Sequence, residues 1–407
     1  MKDAIFNFLV RYRYKLIFIL TMLFVLISMF RLLGNWPLNN ISNKMKTPVL
    51  IFTQWGTQPK EETLLSLIEE FQSANSGIKI TLKTVSYEDF KRELFEGGET
   101  SLMGDIFALD PLWVPELFDM QIIENSYIPL IFFANIFYYN IDILREAGFS
   151  RPPKTRGEFL SCARTVAGRE AGASIKPAGL ALGLNSSRGI YDDIFPWIWS
   201  AGTQLVKDGK PALASAPLIE SLSFLAALNS EGLIVPGAFS ADAEKKLEDF
   251  LSGGAAFVIA PSSAIKRIRE HLGDEAFGVT SIPTPDNYAG KSFFGTSAWT
   301  ASVYSGSAHK EEARLFVDFL AEKASFLSEE AMPGNGVPPA YDAFYSKVWD
   351  IVIAAEPAAD FSDLPWTKLE KAFKEELLIL FEGKSSAAET ASAIQKKWEA
   401  ILENSNE

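Results

Sequence analysis

The sequence predicts an α/β protein of two domains, each a mostly parallel sheet with flanking helices, preceded by one N-terminal transmembrane helix. Three observations predict this. A chain of 407 residues exceeds what one hydrophobic core usually serves, so two domains are expected. Between Val49 and Leu109, runs with the strand period alternate with runs of the helix period, as in the βαβ units of a parallel sheet. Leu16–Phe30 is an apolar run broken only by Thr21 and Ser28, with Arg11, Arg13 and Lys15 before it and Arg31 after it, which is a membrane signal.

Taken in order, residues 1–15 form a basic segment that the positive-inside rule keeps in the cytoplasm. Residues 16–33 are an anchor or a signal segment. The apolar run spans roughly 22 Å as a helix, short of the ~30 Å hydrocarbon core, but Leu32, Leu33 and snorkelling of Arg31 extend it. No small-x-small cleavage site follows, and no cysteine stands downstream to take a lipid, so an uncleaved anchor is expected over a removed signal peptide. Residues 34–47 are polar and contain one proline, which reads as a linker. Everything from about residue 35 onward is then expected to be extracytoplasmic.

The first domain, 48–150, opens with a strand at Val49–Trp55. A helix follows over 59–75, with Leu64, Leu65, Leu67, Ile68 and Phe71 on its apolar side and Gly77 beyond its end. Strand 78–85, helix 87–95 and strand 105–109 complete a βαβαβ pattern. The run 128–139 suits a buried strand, and a short helix at 141–147 ends at Gly148. In the second domain, 151–407, Thr155 and Glu158 form a capping box for a helix reaching about Val166. Strands are expected at 178–184, 255–260 and within 276–303. Helices are expected at 191–201, 217–231, 243–251, 262–272, 310–322, 341–355, 365–381 and 387–402. Segments near 262–320 are expected to return to the first domain.

Composition narrows the function. A net charge of -13 makes nucleic acid a poor partner. One cysteine and two histidines supply neither a disulfide nor a Cys/His zinc set, and no metal or cofactor is implied. Cys162 falls on the helix opened by Thr155. The pairs Glu69-Glu70, Asp192-Asp193 and Glu329-Glu330 are adjacent and point in different directions along a helix, so they read as solvated surface rather than as catalytic pairs. No nucleophile elbow or phosphate loop is present, so an enzyme is not expected.

Parallel strands present a ligand at their carboxyl ends, which selects the turns at Trp55, Tyr87 and Asp110–Trp113. Stacking on the apolar face of a ligand is one role for such rings, and core packing is the other. For Trp197, Trp199, Phe294 and Trp299 core packing is the more common fate. For Trp55 and Trp113 the strand-end position favours the cleft. Asp110 suits either hydroxyl binding or helix capping, and Asn335 completes the candidate ligand-binding set.

The order of motifs resembles the extracellular solute-binding proteins that include maltose- and other sugar-binding receptors of ABC importers. The resemblance rests on Gln54-Trp55-Gly56 ending the first strand, Leu67-Ile68-Glu69-Glu70-Phe71 with Gly77-Ile78-Lys79-Ile80, and Gly104-Asp105-Ile106-Phe107. It continues through Tyr138-Tyr139-Asn140, Ala147-Gly148, Pro153-x-Thr155-x-x-Glu158-Phe159, Phe250-x-x-Gly253-Gly254-Ala255-Ala256 and Ala313-x-x-Phe316-x-x-Phe319-Leu320. It implies a two-domain periplasmic-binding-protein (Venus-flytrap) fold that closes on a small solute, with ABC permease subunits as partners. Two departures stand out: the short passage between Ile123 and Tyr127, where relatives carry a longer helical connection, and Asn335–Ala340, which lacks the arginine many relatives place there. The alternatives are a tethered sensory or degenerate binding module and, less in keeping with the residues, a carbohydrate-active hydrolase.

Overall fold

A computed structural model describes residue 22 and residues 47–56, 60–97, 103–168, 176–291, 293–327, 332–333, 343–357 and 364–404. The chain divides into two compact units. One comprises residues 1–49 with 77–79 and the other residues 50–76 with 80–407. In the small unit the Lys79 N–H donates to the Pro48 carbonyl at 2.9 Å. The expected basic segment, membrane span and most of the linker lie outside the described residues. Among the described residues no helix is long and apolar enough to cross a membrane.

The large unit carries the architecture, apart from the first residues of β1 and β2, Val49 and Lys79, which fall in the small unit. Its elements in order are β1 (Val49–Trp55), α1 (Glu61–Ala74), β2 (Lys79–Val85), α2 (Tyr87–Glu96), β3 (Ile106–Leu109), α3 (Val114–Asp119), β4 (Ile123–Asn140), α4 (Ile141–Glu146) and α5 (Arg156–Gly168). There follow β5 (Ala178–Ala181), α6 (Gly189–Asp193), α7 (Phe195–Trp199), α8 (Ala216–Ser230), α9 (Ala243–Leu251), β6 (Ala255–Pro261) and α10 (Ile265–Leu272). The chain ends with β7 (Phe277–Thr280), β8 (Thr296–Tyr304), α11 (Lys310–Glu322), α12 (Ala343–Ala354), α13 (Trp366–Phe381) and α14 (Ala387–Asn404).

Local sequence explains most of these. Leu64, Leu67, Ile68 and Phe71 form the buried stripe of α1, the i, i+3, i+4, i+7 spacing of a helix with one face on a core. Each such side chain contributes about 1.5–3 kcal/mol relative to exposure. Ser86 caps α2 by accepting from Asp89 N–H at 3.1 Å. Thr155 Oγ1 caps α5 by accepting from Glu158 N–H at 3.3 Å. The Glu158 carboxylate reaches back to Lys154 N–H at 2.8 Å, one residue before a regular capping box would place it. The helix expected over 191–201 is two short helices, because Pro196 begins the second and cannot continue the first's hydrogen bonding.

Strand order along the main path is β2-β1-β3-β8-β4-β6-β5, with β7 and Met332–Pro333 also paired to β4. β4, 18 residues long, belongs to both halves. Its residues up to Ala134 pair with β8, while Asn135–Tyr139 pair with β6 and Phe137–Asn140 with β7. The sheet is therefore mixed, which corrects the expectation of mostly parallel sheets. β1/β3 and β5/β6 are parallel, but β8 is antiparallel to β3 and β4, and β4 is antiparallel to β6 and β7. A chain that leaves the first lobe through one strand and returns through its neighbour must run in opposite directions in the two. Within the stretch 262–320, β7 pairs with β4, and β8 pairs with β3 and β4. The architecture is α/β, one mixed sheet with β4 shared between its two halves.

Candidate functional site

At the carboxyl ends of β1, β2 and β3 the chain turns at Trp55-Gly56, Ser86-Tyr87-Glu88 and Asp110. Gly56 adopts φ +80°, a left-handed conformation that glycine takes without Cβ strain and that lets the chain leave the strand sharply. Facing these turns are Arg188 and Asp192 around α6, the start of α9, and the Ala260–Ala264 turn after β6. Between them lies a cavity of about 680 Å³. Trp55 and Tyr87 form its aromatic wall, their rings edge to face at 4.8 Å. Arg188, Asp192, Lys246, Glu88, Glu244 and Lys266 supply charge of both signs. The Trp55 Nε1–H is buried and has no hydrogen-bond partner among the described residues.

A polar network floors this cavity. Asp110 accepts from Leu112 N–H at 2.9 Å, from the Tyr87 hydroxyl at 2.8 Å, and from Arg188 Nη1. Arg188 also donates to Asp192 through Nε at 3.3 Å and Nη2 at 3.2 Å, and its guanidinium lies 4.7 Å over the Tyr191 ring. Asn135 Nδ2 donates to Asp192 at 2.8 Å. Burial works against the charge on Arg188, but Asp110 and Asp192 outweigh it and raise the pKa well above the ordinary arginine value. Burial, then the Asp110 charge, raises Tyr87 well above an ordinary phenol. Deeper still, Asp193 and Lys246 form a buried pair at 2.5 Å, with Asp193 also accepting from Gly183 N–H at 2.6 Å. Burial pushes the carboxyl of Glu370, on α13, up to about 8.

Of the expected site residues, Trp55 and Tyr87 line the cavity, and Asp110 lies directly beneath it. Asp110 turned out to cap the turn at Pro111–Trp113 and to hold Arg188 at once. Trp113, Trp197, Trp199 and Trp299 are at most 1 % exposed and are core residues, absent from the cavity wall. The turn after Asp110 directs Trp113 inward onto Tyr87 at 4.6 Å and Phe90 at 6.0 Å. Trp197 packs against Phe159 at 5.1 Å and Phe137 at 5.6 Å. Trp199 fits so closely over Gly295 that a Cβ there would meet its ring at 2.6 Å. Trp299 meets Phe52 edge to face at 5.7 Å. Large rings gain most from complete burial, which is why these four left the surface. Phe294 lies in the short strand Phe293–Phe294, paired with Glu356–Pro357, and Asn335 lies outside the described residues.

Arg188, Asp192 and Glu88 were not anticipated, and Asp193 was read as solvated although it is fully buried. The signal was available in part: Arg188, Asp192 and Asp193 flank the apolar stretch Ile194–Trp199, where a charge is retained only if something pairs with it. Among the described residues no group of three His, Cys, Asp or Glu side chains could hold a metal ion.

The sequence profile of the bacterial extracellular solute-binding proteins matches residues 55–325. A Brucella abortus (strain 2308) protein, named only as a binding protein, is 28% identical over 377 residues, covering 80% of this chain and 88% of the relative. The GacH receptor of Streptomyces glaucescens, solved unliganded and with acarbose, shares 16% identity and a TM-score of 0.71, over 88% of this chain and 99% of that one. An ABC transporter solute-binding protein from Thermotoga lettingae bound to α-D-tagatose shares 17% identity and a TM-score of 0.73, over 87% of this chain and 100% of that one.

Proposed function

Because the chain belongs to the bacterial extracellular solute-binding protein family, we propose that it captures a sugar or oligosaccharide in the cavity bounded by Trp55, Tyr87 and Arg188 and delivers it to the permease of an ABC importer. One observation carries the choice of solute: an aromatic wall of Trp55 and Tyr87 faces charged and hydroxyl side chains across about 680 Å³. Sugars present apolar C–H faces and hydroxyl rims, and this wall meets both kinds of surface. The buried Trp55 Nε1–H, without a hydrogen-bond partner among the described residues, adds a donor that an acceptor on the solute can meet. The acarbose and tagatose carried by the two structural relatives support the same class of solute.

The reading extends to place and chemistry. Residues 16–33 anchor the chain in the cytoplasmic membrane and hold the lobes outside it. The protein binds and releases without bond cleavage, so an oligosaccharide incubated with it is returned intact. The test is a thermal-shift screen of mono- and oligosaccharides on the purified full-length chain, followed by calorimetry. A ligand at 100 times its Kd stabilises the folded state by about 2.7 kcal/mol. If no carbohydrate shifts the melting temperature while amino acids or peptides do, the sugar reading is wrong. Hydrolysis of the added oligosaccharide would overturn the receptor reading itself.

A further inference from the structure

The network beneath the cavity joins the two lobes directly. Asp110 follows β3 in the first lobe and Arg188 precedes α6 in the second, and their ion pair is buried, with side chains 0 % and 7 % exposed. Beside it, Ser187 of the second lobe donates to Glu88 of the first through its N–H at 3.0 Å and through its hydroxyl. The far end of the chain of contacts is Asn135, which bonds Asp192 at 2.8 Å. Asn135 is also where β4 exchanges its first-lobe neighbour β8 for its second-lobe neighbour β6. Protein groups alone thus satisfy one another across the cleft. We propose that Arg188 is a positioning residue that clamps the lobes together in the absence of solute, and that Asn135 ties this clamp to the strand on which the lobes turn.

Two charges withdrawn from water hold each other firmly only while both are present. Opening the cleft must separate Arg188 from Asp110, and without Arg188 the buried Asp110 keeps only the Tyr87 hydroxyl and the Leu112 N–H as partners. A solute entering the cavity meets lobes already drawn together, so part of the ordering cost of closure is met beforehand. The inference is independent of which solute fills the cavity, so it survives a failure of the sugar reading.

The test is single-molecule energy transfer on the full-length chain without ligand, with dyes on Arg92→Cys at α2 and Glu248→Cys at α9. Both positions are exposed, one turn beyond cavity residues Glu88 and Glu244. Cys162 is buried and its thiol is pushed up to about 12, so it stays unlabelled. The unsubstituted clamp should give one high-efficiency population. Arg188→Met should lower the ratio of closed to open molecules by about 150-fold or more, the least that loss of one member of a buried pair implies. Arg188→Lys, which keeps the charge but loses the fork, should fall between. A merely structural arginine would lower the melting temperature and leave the efficiency of the folded molecules unchanged. If Arg188→Met does not fold, Glu88→Ala decides, because Glu88 is exposed and its loss should open the cleft in the same direction by less. A low-efficiency population before any substitution, or an unchanged one in the folded variants, overturns the clamp.

Discussion

Lys246→Ala should destabilise the protein far more than its place on the largely polar helix α9 suggests. Asp193 is fully buried and Lys246 is 4 % exposed. The ammonium lies 2.5 Å from one carboxylate oxygen, and the other oxygen accepts from Gly183 N–H at 2.6 Å. Burial raises the Asp193 pKa in spite of this pairing, so little solvation is left to compensate a missing partner. Removing one member of a buried ion pair costs about 3–5 kcal/mol, and even 3 kcal/mol shifts the folding equilibrium about 150-fold. Urea unfolding followed by tryptophan fluorescence reads this, since Trp197 and Trp199 lie on the adjacent α7. The double substitution Asp193→Leu with Lys246→Met should recover most of the loss, because a buried pair replaced by apolar groups of similar size is often neutral. A loss below about 1 kcal/mol in the single variant, the range of exposed pairs, would refute the reasoning.

The two indoles at the strand ends should respond oppositely. Trp55→Ala should weaken solute binding by about 1–3 kcal/mol, or roughly 5- to 150-fold, with little change in unfolding, whereas Trp113→Ala should cost about 3–5 kcal/mol of folding stability; paired titration and urea melts separate them, and early unfolding of the Trp55 variant would place that ring in the core. Glu370 sets a pH dependence. Its folded pKa of about 8 exceeds the ordinary 4.5, so the folded state holds the extra proton between those values and its stability falls as pH rises through that window. Glu370→Gln should flatten this part of the stability profile, and an unaltered slope would exclude Glu370 as its source. The Cys162 thiol, raised to about 12 by burial, should react with a disulfide reagent only as fast as the protein opens, and Cys162→Ala should leave solute affinity unchanged; rapid labelling of the folded chain would contradict the burial.

The sequence made the periodic elements readable because their signals are local. The stripe of α1 and the Thr155 cap of α5 each lie within a few residues of one another. Two kinds of feature escaped. The Arg188–Asp110 and Lys246–Asp193 pairs join residues separated by 78 and 53 positions, and a single sequence carries no record of such partners. β4 was visible only in its apolar part, since Glu124, Asn125 and Ser126 begin the strand where its burial pattern is broken. Trp113 shows how little separates the two fates of a strand-end ring. Trp55 stays at the cavity because the chain turns away at Gly56, while Pro111 and the Asp110 cap wind the next turn inward and carry Trp113 with it.

The shared strand is irregular along part of its length. Along β4 and β8 the pairing steps from Trp299 opposite Ile131 to Thr300 opposite Pro129, so Leu130 is the extra residue of a bulge. Proline has no N–H to give a ladder, and a bulge is one of the few places in a sheet interior that tolerates it. A second register shift falls between Ser302 and Tyr304. Bulges concentrate twist in the strand that carries them, so this part of the pair deforms more readily than the regular ladder from Asn135 to Tyr139 against β6. The Arg188 network reaches β4 through Asn135, four regularly paired residues beyond the bulge at Leu130. The strand that carries Pro129 and its bulge is thus the same strand through which Asn135 meets the polar network at the cavity.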